Sequence, residues 1–154
     1  MREKIKDIIS EKFKDQILFD TNAKDMLTVT IKNKEMLVRF MEFLKETEEL
    51  SFDLISDITA IDYQSRKPRF EMVYHIFSIK NSERIRIKLP IDDGESVISV
   101  TSVWRGAEWL EREVYDMFGI SFEGHPDLRR ILMNEDYKYH PLRKDFPLLG
   151  IEEC

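Results

Sequence analysis

The sequence holds a single cysteine, Cys154, at its last position. One thiol closes no internal disulfide and builds no cysteine-rich metal site, and it fits a reducing compartment. Only five glycines are present, and no glycine-rich phosphate loop, CxxC pair or serine or cysteine nucleophile motif can be assembled. No run approaches the roughly 18 apolar residues needed to cross a bilayer. Met1–Phe13 mixes acids with bases and lacks the apolar centre of a signal peptide. These absences lead us to expect a soluble, cytoplasmic chain with no direct membrane insertion, tied to a membrane only through a partner. A basic face is missing too: the net charge is −6 and no Lys/Arg block stands out, which argues against a nucleic-acid partner.

What is present suits one packed domain. The chain has 154 residues, with 42% hydrophobic residues to fill a core and 35% charged residues of mixed sign to keep it globular. Ile5, Ile8, Ile9 and Phe13 recur at helical spacing and predict a helix over 2–14. Short strands follow near Gln16–Phe19 and Met26–Ile31. Asn33 is a plausible N-cap for a helix over 34–47, where Met36, Leu37, Phe40, Met41 and Leu44 form one apolar stripe. The middle is rich in strand formers: Ser51–Tyr63, Arg69–Lys80 and the alternating Arg84–Leu89, with Pro90 and Asp92-Asp93-Gly94 closing the last of them. Val97–Val103 reads as one more strand. A final helix fits Arg105–Phe118, stopped by Gly119.

After Gly119 the periodicity fades. Pro126, Pro141 and Pro147 alternate with charged and aromatic residues, and only Leu128–Met133 reads as a helical turn. So long an aperiodic stretch is unusual in a compact domain and reads as an arm that lies on something. The expected fold is α+β: a mostly antiparallel sheet packed with two to three helices over residues 1–119, then an extended C-terminal arm over residues 120–154.

The chemistry-bearing residues gather on the last helix and the arm. Glu111 falls in the middle of the apolar face made by Ala107, Leu110, Val114, Met117 and Phe118, while Glu113 and Asp116 point elsewhere, so no acid/base pair converges. A carboxylate on an apolar stripe must find a partner or be protonated, and Arg129, Arg130 and Arg143 of the arm are the candidate partners. Trp109 lies on the opposite face near Arg112, and is either an interface residue or covered by the arm folding back. Trp104 is expected in the core. His75, amid apolar residues, is expected as a hydrogen-bonded core histidine rather than a ligand. His125 and His140 precede prolines in the arm and make a weak case for zinc. The basic pairs Arg129-Arg130 and Arg143-Lys144 stand beside Asp127, Glu135, Asp136 and Asp145, which favours salt bridges to a neighbouring chain over phosphate binding.

One run in this region is distinctive. Glu111-Arg112-Glu113-Val114-Tyr115-Asp116-Met117-Phe118-Gly119-Ile120 is followed by Phe122, Gly124-His125-Pro126, Leu128-Arg129-Arg130-Ile131-Leu132 and His140-Pro141-Leu142-Arg143-Lys144-Asp145. It resembles the C-subunit family of bacterial NADH:quinone oxidoreductases, relatives of the mitochondrial thirty-kilodalton complex I subunit. Asp57–Tyr63 and Tyr74-His75 resemble the family's strand motifs more weakly. Asn134 stands where the family usually has proline, and Tyr137-Lys138-Tyr139 replaces Trp-x-Gly.

The resemblance implies a cofactor-free structural subunit at the cytoplasmic face of the cell membrane, within an enzyme that passes electrons from NADH through FMN and iron–sulfur clusters to quinone. It places those groups in partner subunits and implies contact with the quinone-site D subunit and with the B and I subunits. It assigns no catalytic, cofactor or metal residue to this chain. Trp109, Glu111, Arg112, Glu113, Asp116, His125, Arg129, Arg130, His140, Arg143, Lys144 and Asp145 are then expected to fix helix to arm and arm to partner. The same fold would also suit a subunit of an energy-converting nickel–iron hydrogenase or of a dehydrogenase with another donor. From other classes, a small acid/base hydrolase and a free adaptor domain remain as alternatives.

Overall fold

A computed structural model describes residues 1–151; Cys154 lies outside them. The helix expected over 2–14 forms as α1, Arg2–Phe13, and buries Ile5, Ile9 and Phe13. Two short strands follow, β1 (Ile17–Phe19) and β2 (Leu27–Ile31). The Asn33 side chain accepts from the Glu35 amide at 3.0 Å and opens a single 3₁₀ turn, Lys34–Met36. That turn feeds α2, Leu37–Glu46, whose buried stripe is Leu37, Phe40, Met41 and Leu44. The α1 and α2 stripes meet where the Phe13 ring packs edge-on against Phe40 and Phe43, centroids 5.1 Å apart in both pairs.

Three long strands carry the domain: β3 (Leu54–Asp62), β4 (Phe70–Ser78) and β5 (Glu83–Ile91). The sheet order is β1-β2-β5-β4-β3. Every neighbouring pair is antiparallel except β2 and β5, which run parallel from Leu27↔Ile85 to Thr30↔Lys88. Side chains alternate across the pleat, so Ile85, Ile87, Leu89 and Ile91 enter the core while Arg84, Arg86 and Lys88 take the other face. Each fully buried Leu, Ile or Phe of this kind stabilises by about 1.5–3 kcal/mol relative to exposure.

Several expectations are corrected here. β5 runs through Pro90 to Ile91 because β2 pairs only as far as Lys88, leaving no neighbour on that side to receive an N–H. His75 is hydrogen-bonded, accepting from Arg86 Nε at 3.0 Å, but it is half-buried on the sheet's outer face, where the alternation of β4 puts it. The strand expected over Val97–Val103 is cut to β6, Val97–Ile98, which pairs in parallel with β7, Phe122–Glu123. The chain then turns, with the Val103 and Trp104 amides both donating to the Val100 carbonyl. Trp104 is buried as expected.

The last helix, α3, spans Ala107–Phe118 and packs along β3, the edge strand of the large sheet. Gly119 ends it with φ +75°, the left-handed conformation that glycine adopts without penalty.

Candidate docking site: an arm clasped by carboxylates

Three α3 residues with charged side chains are buried: Glu111, Arg112 and Asp116. Glu111 does not meet an arginine. Its carboxylate accepts from the Ser99 hydroxyl at 2.6 Å and from the Val100 amide at 2.7 Å. This corrects the expected ion pair with Arg129, Arg130 or Arg143. β6 is short because the next amide in its ladder register, that of Thr101, turns back to the Ser99 hydroxyl at 3.2 Å. Burial pushes the Glu111 carboxyl above its ordinary value, and the Ser99 and Val100 donors offset part of that rise. Tyr74 lies near; burial and the Glu111 charge hold its phenol protonated.

Asp116 carries the ion pair instead. Arg130 Nη1 donates to Asp116 Oδ1 at 2.6 Å, and the amides of Ile131, Leu132 and Met133 converge on Oδ2 at 3.1, 2.7 and 2.9 Å. Burial opposes ionisation, but the Met133, Arg130, Leu132 and Ile131 donors together outweigh it and hold the carboxyl below its ordinary value. Three consecutive amides aimed at one carboxylate oxygen leave no i→i+4 ladder, which is why Leu128–Met133 runs irregularly into bends at Ile131–Met133 and not as the expected helical turn. Arg112 completes the junction, donating to the Arg129 carbonyl at 3.1 Å and the Arg130 carbonyl at 3.0 Å.

The arm also satisfies the open carbonyls at the end of α3. The His140 ring nitrogen Nδ1 lies 2.9 Å from the Asp116 carbonyl, and the Leu142 amide donates to Met117 at 3.0 Å. Arg143 Nη1 reaches the Phe118 carbonyl at 3.3 Å, a cation at the negative end of the helix. The His140 ring sits directly on Gly119: a Cβ there would lie 2.7 Å from His140 Cδ2.

A second clasp was not foreseen. Asp62, at the end of β3, is bound bidentately by Arg69 at 2.9 Å through both Nε and Nη2, and accepts the arm's Lys144 amide at 2.8 Å. The Arg69 bonds, with the Lys144 and Gln64 amides, hold the Asp62 carboxyl well below the carboxylate range against the opposing effect of burial. Arg143 bridges Asp93, at 3.1 and 2.7 Å, to Asp145 at 3.2 Å. Arg69 reaches the same two acids at 3.0 and 3.2 Å. Both guanidiniums lie over the Phe70 ring, 5.0 and 5.2 Å from its centroid. The pairing of Asp62 with Arg69 has a sequence signal, since they flank the β3–β4 connection; the Lys144 amide, 82 positions from Asp62, has none.

The remaining expected residues fall on the surface. Trp109 is 58% exposed, with Arg112 stacked 4.9 Å from its ring. The arm therefore does not cover it. Glu113 is exposed while Glu111 is enclosed, so the two carboxylates do not converge. Arg129 points outward to Asp127 at 2.9 Å. Both arm histidines are engaged: His125 Nε2 lies 2.9 Å from the Glu108 carbonyl, and its Nδ1 accepts from the Asp127 amide at 3.0 Å. With its back fixed, the arm turns Leu132, Tyr139, Leu142, Leu148 and Leu149 to solvent. A hollow of about 290 Å³ opens among Tyr139, Phe146 and Pro147. What this geometry does is hold backbone in place and leave large apolar side chains exposed among charged ones.

The fold is shared with a chain of a multisubunit respiratory assembly. The solved structure of the membrane-bound sulfane sulfur reductase, an archaeal respiratory membrane complex, contains a chain that superposes with a TM-score of 0.79 at 26% identity, over 96% of this chain and 86% of that one. The family described as respiratory-chain NADH dehydrogenase, 30 Kd subunit, matches residues 27–152, and the chain belongs to it. Among relatives, the NADH-quinone oxidoreductase C subunit of Geotalea uraniireducens is 50% identical over 143 residues, 92% of this chain and 85% of that protein. The corresponding C subunit of Geobacter sulfurreducens is 46% identical over 144 residues, 92% of this chain and 87% of that one. Among the described residues no helix is long and apolar enough to cross a membrane.

Proposed function

We propose that this chain is a cofactor-free structural subunit in the peripheral arm of a proton-translocating NADH:quinone oxidoreductase. In this reading it sits on the cytoplasmic face of the membrane and braces the quinone-site D subunit, with the B and I subunits adjacent. FMN, the iron–sulfur clusters and quinone belong to its partners. Quinone reduction needs the last cluster and the quinone pocket held in fixed relation, which buried interface area and paired charges supply. The observation that carries the reading is the arm's two-sidedness: its inner side is gripped by Asp116 and Asp62, and its outer side exposes Leu132, Leu142, Leu148 and Leu149. Co-purification tests it. A tagged chain brings down the D, B and I subunits, and a Leu148→Asp, Leu149→Asp double variant loses them while keeping its own melting temperature. Recovery of the tagged chain alone from cells that make the whole complex refutes the reading.

One observation favours a second reading. The structural relative belongs to a sulfane sulfur reductase, so the same fold occurs in a complex with a different reaction. The complex purified through this chain separates the two: quinone reduction driven by NADH supports the first, and sulfane sulfur reduction without NADH oxidation supports the second.

A further inference from the structure

The segment from Ile120 to Phe146 contains only the two-residue β7, yet it is tied to the body on both sides of the Asn134–Lys138 loop. β7 pairs with β6, and His125 meets the Glu108 carbonyl. The Arg129 and Arg130 carbonyls are held by Arg112, and the next three amides by Asp116. His140, Leu142 and Arg143 each meet a carbonyl in the last turn of α3, and the Lys144 amide meets Asp62. The body supplies the binding groups from buried positions: Asp116 is fully enclosed and Asp62 is 3% exposed. Over Pro147–Ile151 the pattern stops. The Gly150 amide bonds locally to the Pro147 carbonyl, and Leu148 and Leu149 are 101% and 99% exposed.

From this division we infer that the arm is folded onto the body in the free chain, before any partner arrives, as far as Phe146, and that, among the described residues, only Pro147–Ile151 is left for a partner to fix. The boundary between folded unit and docking segment then falls near 147, not at the 120 expected from sequence. Buried carboxylates drive this. An enclosed Asp116 without its four donors, or Asp62 without the Lys144 amide, is poorly satisfied, so the body itself recruits the arm. A partner meets a preformed surface and bears little of the cost of ordering 27 residues. The inference is independent of which complex the chain serves.

Amide exchange on the isolated full-length chain, read residue by residue by NMR, tests it. The amides of Ile131, Leu132, Met133, Leu142 and Lys144 are expected to exchange at least about 100-fold more slowly than in unstructured peptide. Asp62→Asn is expected to release the Lys144 amide more than tenfold while leaving Leu132 protected, and Asp116→Asn to do the reverse. The amides of Val73 and Ile87 in the central strands report whether either variant has unfolded. If the wild-type arm amides exchange within tenfold of unstructured rates while Val73 and Ile87 stay protected, the inference is overturned, whether or not the variants fold. Protection that ignores both substitutions overturns it as well.

Discussion

Asp116→Ala is the most informative single change. It removes the acceptor of four donors: Arg130 at 2.6 Å and three amides at 3.1, 2.7 and 2.9 Å. The carboxylate is fully buried and the Arg130 side chain is only 9% exposed. Hydrogen bonds to a charged group contribute about 1.5–3 kcal/mol each, so four would sum to roughly 6–12 kcal/mol. That sum is an upper limit, because Ile131–Met133 lie at the surface and their freed amides can turn to water. Removing one partner of a buried ion pair costs about 3–5 kcal/mol, and this sets the expected loss. A domain of this length loses about 2–4 °C of melting temperature per kcal/mol, so the midpoint should fall by roughly 6–20 °C. Thermal unfolding followed by circular dichroism reads the body. Trp109 fluorescence reads the junction, since its ring carries Arg112, the residue that holds the arm carbonyls. A midpoint within about 2 °C of wild type refutes the assignment of Asp116 as the principal tie.

Three further outcomes are expected. Gly119→Ala should destabilise more than Gly124→Ala: both sites have positive φ, +75° and +78°, with a left-handed cost of about 1–2 kcal/mol, but only at 119 would a Cβ strike the His140 ring. Equal melting points for the two variants would remove His140 from the cap of α3. Acid should loosen the arm: Asp62, Asp93, Asp116 and Asp145 all have lowered carboxyl values when folded, so their stabilisation is complete above the unfolded value near about 3.9 and disappears as pH drops through the lowered ones. Glu111 runs the other way, its raised value making its contribution fullest below the unfolded value near about 4.3 and lost as pH climbs. Wild type should therefore gain on Glu111→Gln between pH 8 and pH 4.5 in urea titrations, and a pH-independent difference would contradict the placement of that carboxylate. Trp109→Ala should leave the melting point within about 2 °C, because the ring is mostly exposed, yet weaken association with partner subunits by about 2 kcal/mol or more in a binding titration. Unchanged affinity would make Trp109 an ordinary surface residue.

What sequence reasoning found and missed follows the range of each interaction. α1, α2 and the alternation of β5 are local patterns, and Ile5, Ile9, Phe13 and the Leu37–Leu44 stripe occupy the positions their spacing predicts. Asn33 capping its turn is equally local. The parallel pairing of β2 with β5 joins residues nearly sixty apart and leaves no mark on either strand. Charge logic required a carboxylate on an apolar stripe either to find a partner or to be protonated, and the arginine partner it favoured was the wrong one. Glu111 is satisfied by a neutral hydroxyl and an amide, while the arginine goes to Asp116, which the helical wheel had turned away from the core. The wheel describes only the sheet-facing side of α3; the arm buries a second side. Val97–Val103 has the composition of a strand, but the Thr101 amide turns back to the Ser99 hydroxyl and the Val103 and Trp104 amides to the Val100 carbonyl, so the ladder ends early.

The end of α3 also acts as a gauge of chain length. Its last carbonyls, on Asp116, Met117 and Phe118, receive His140, Leu142 and Arg143, and the next residue, Lys144, is committed to Asp62 on a different element. Four assignments within five residues, to two separate parts of the body, leave no slack between His140 and Asp145. Adding or deleting one residue there would carry the Lys144 amide off its carboxylate and swing Arg143 away from Asp93. Between Asn134 and Lys138, where the side chains are mostly exposed and, among the described residues, the backbone bond is the local turn from Tyr137 to Asn134, the same change could be absorbed as a wider loop. Size variation in this segment should therefore be confined to Asn134–Lys138.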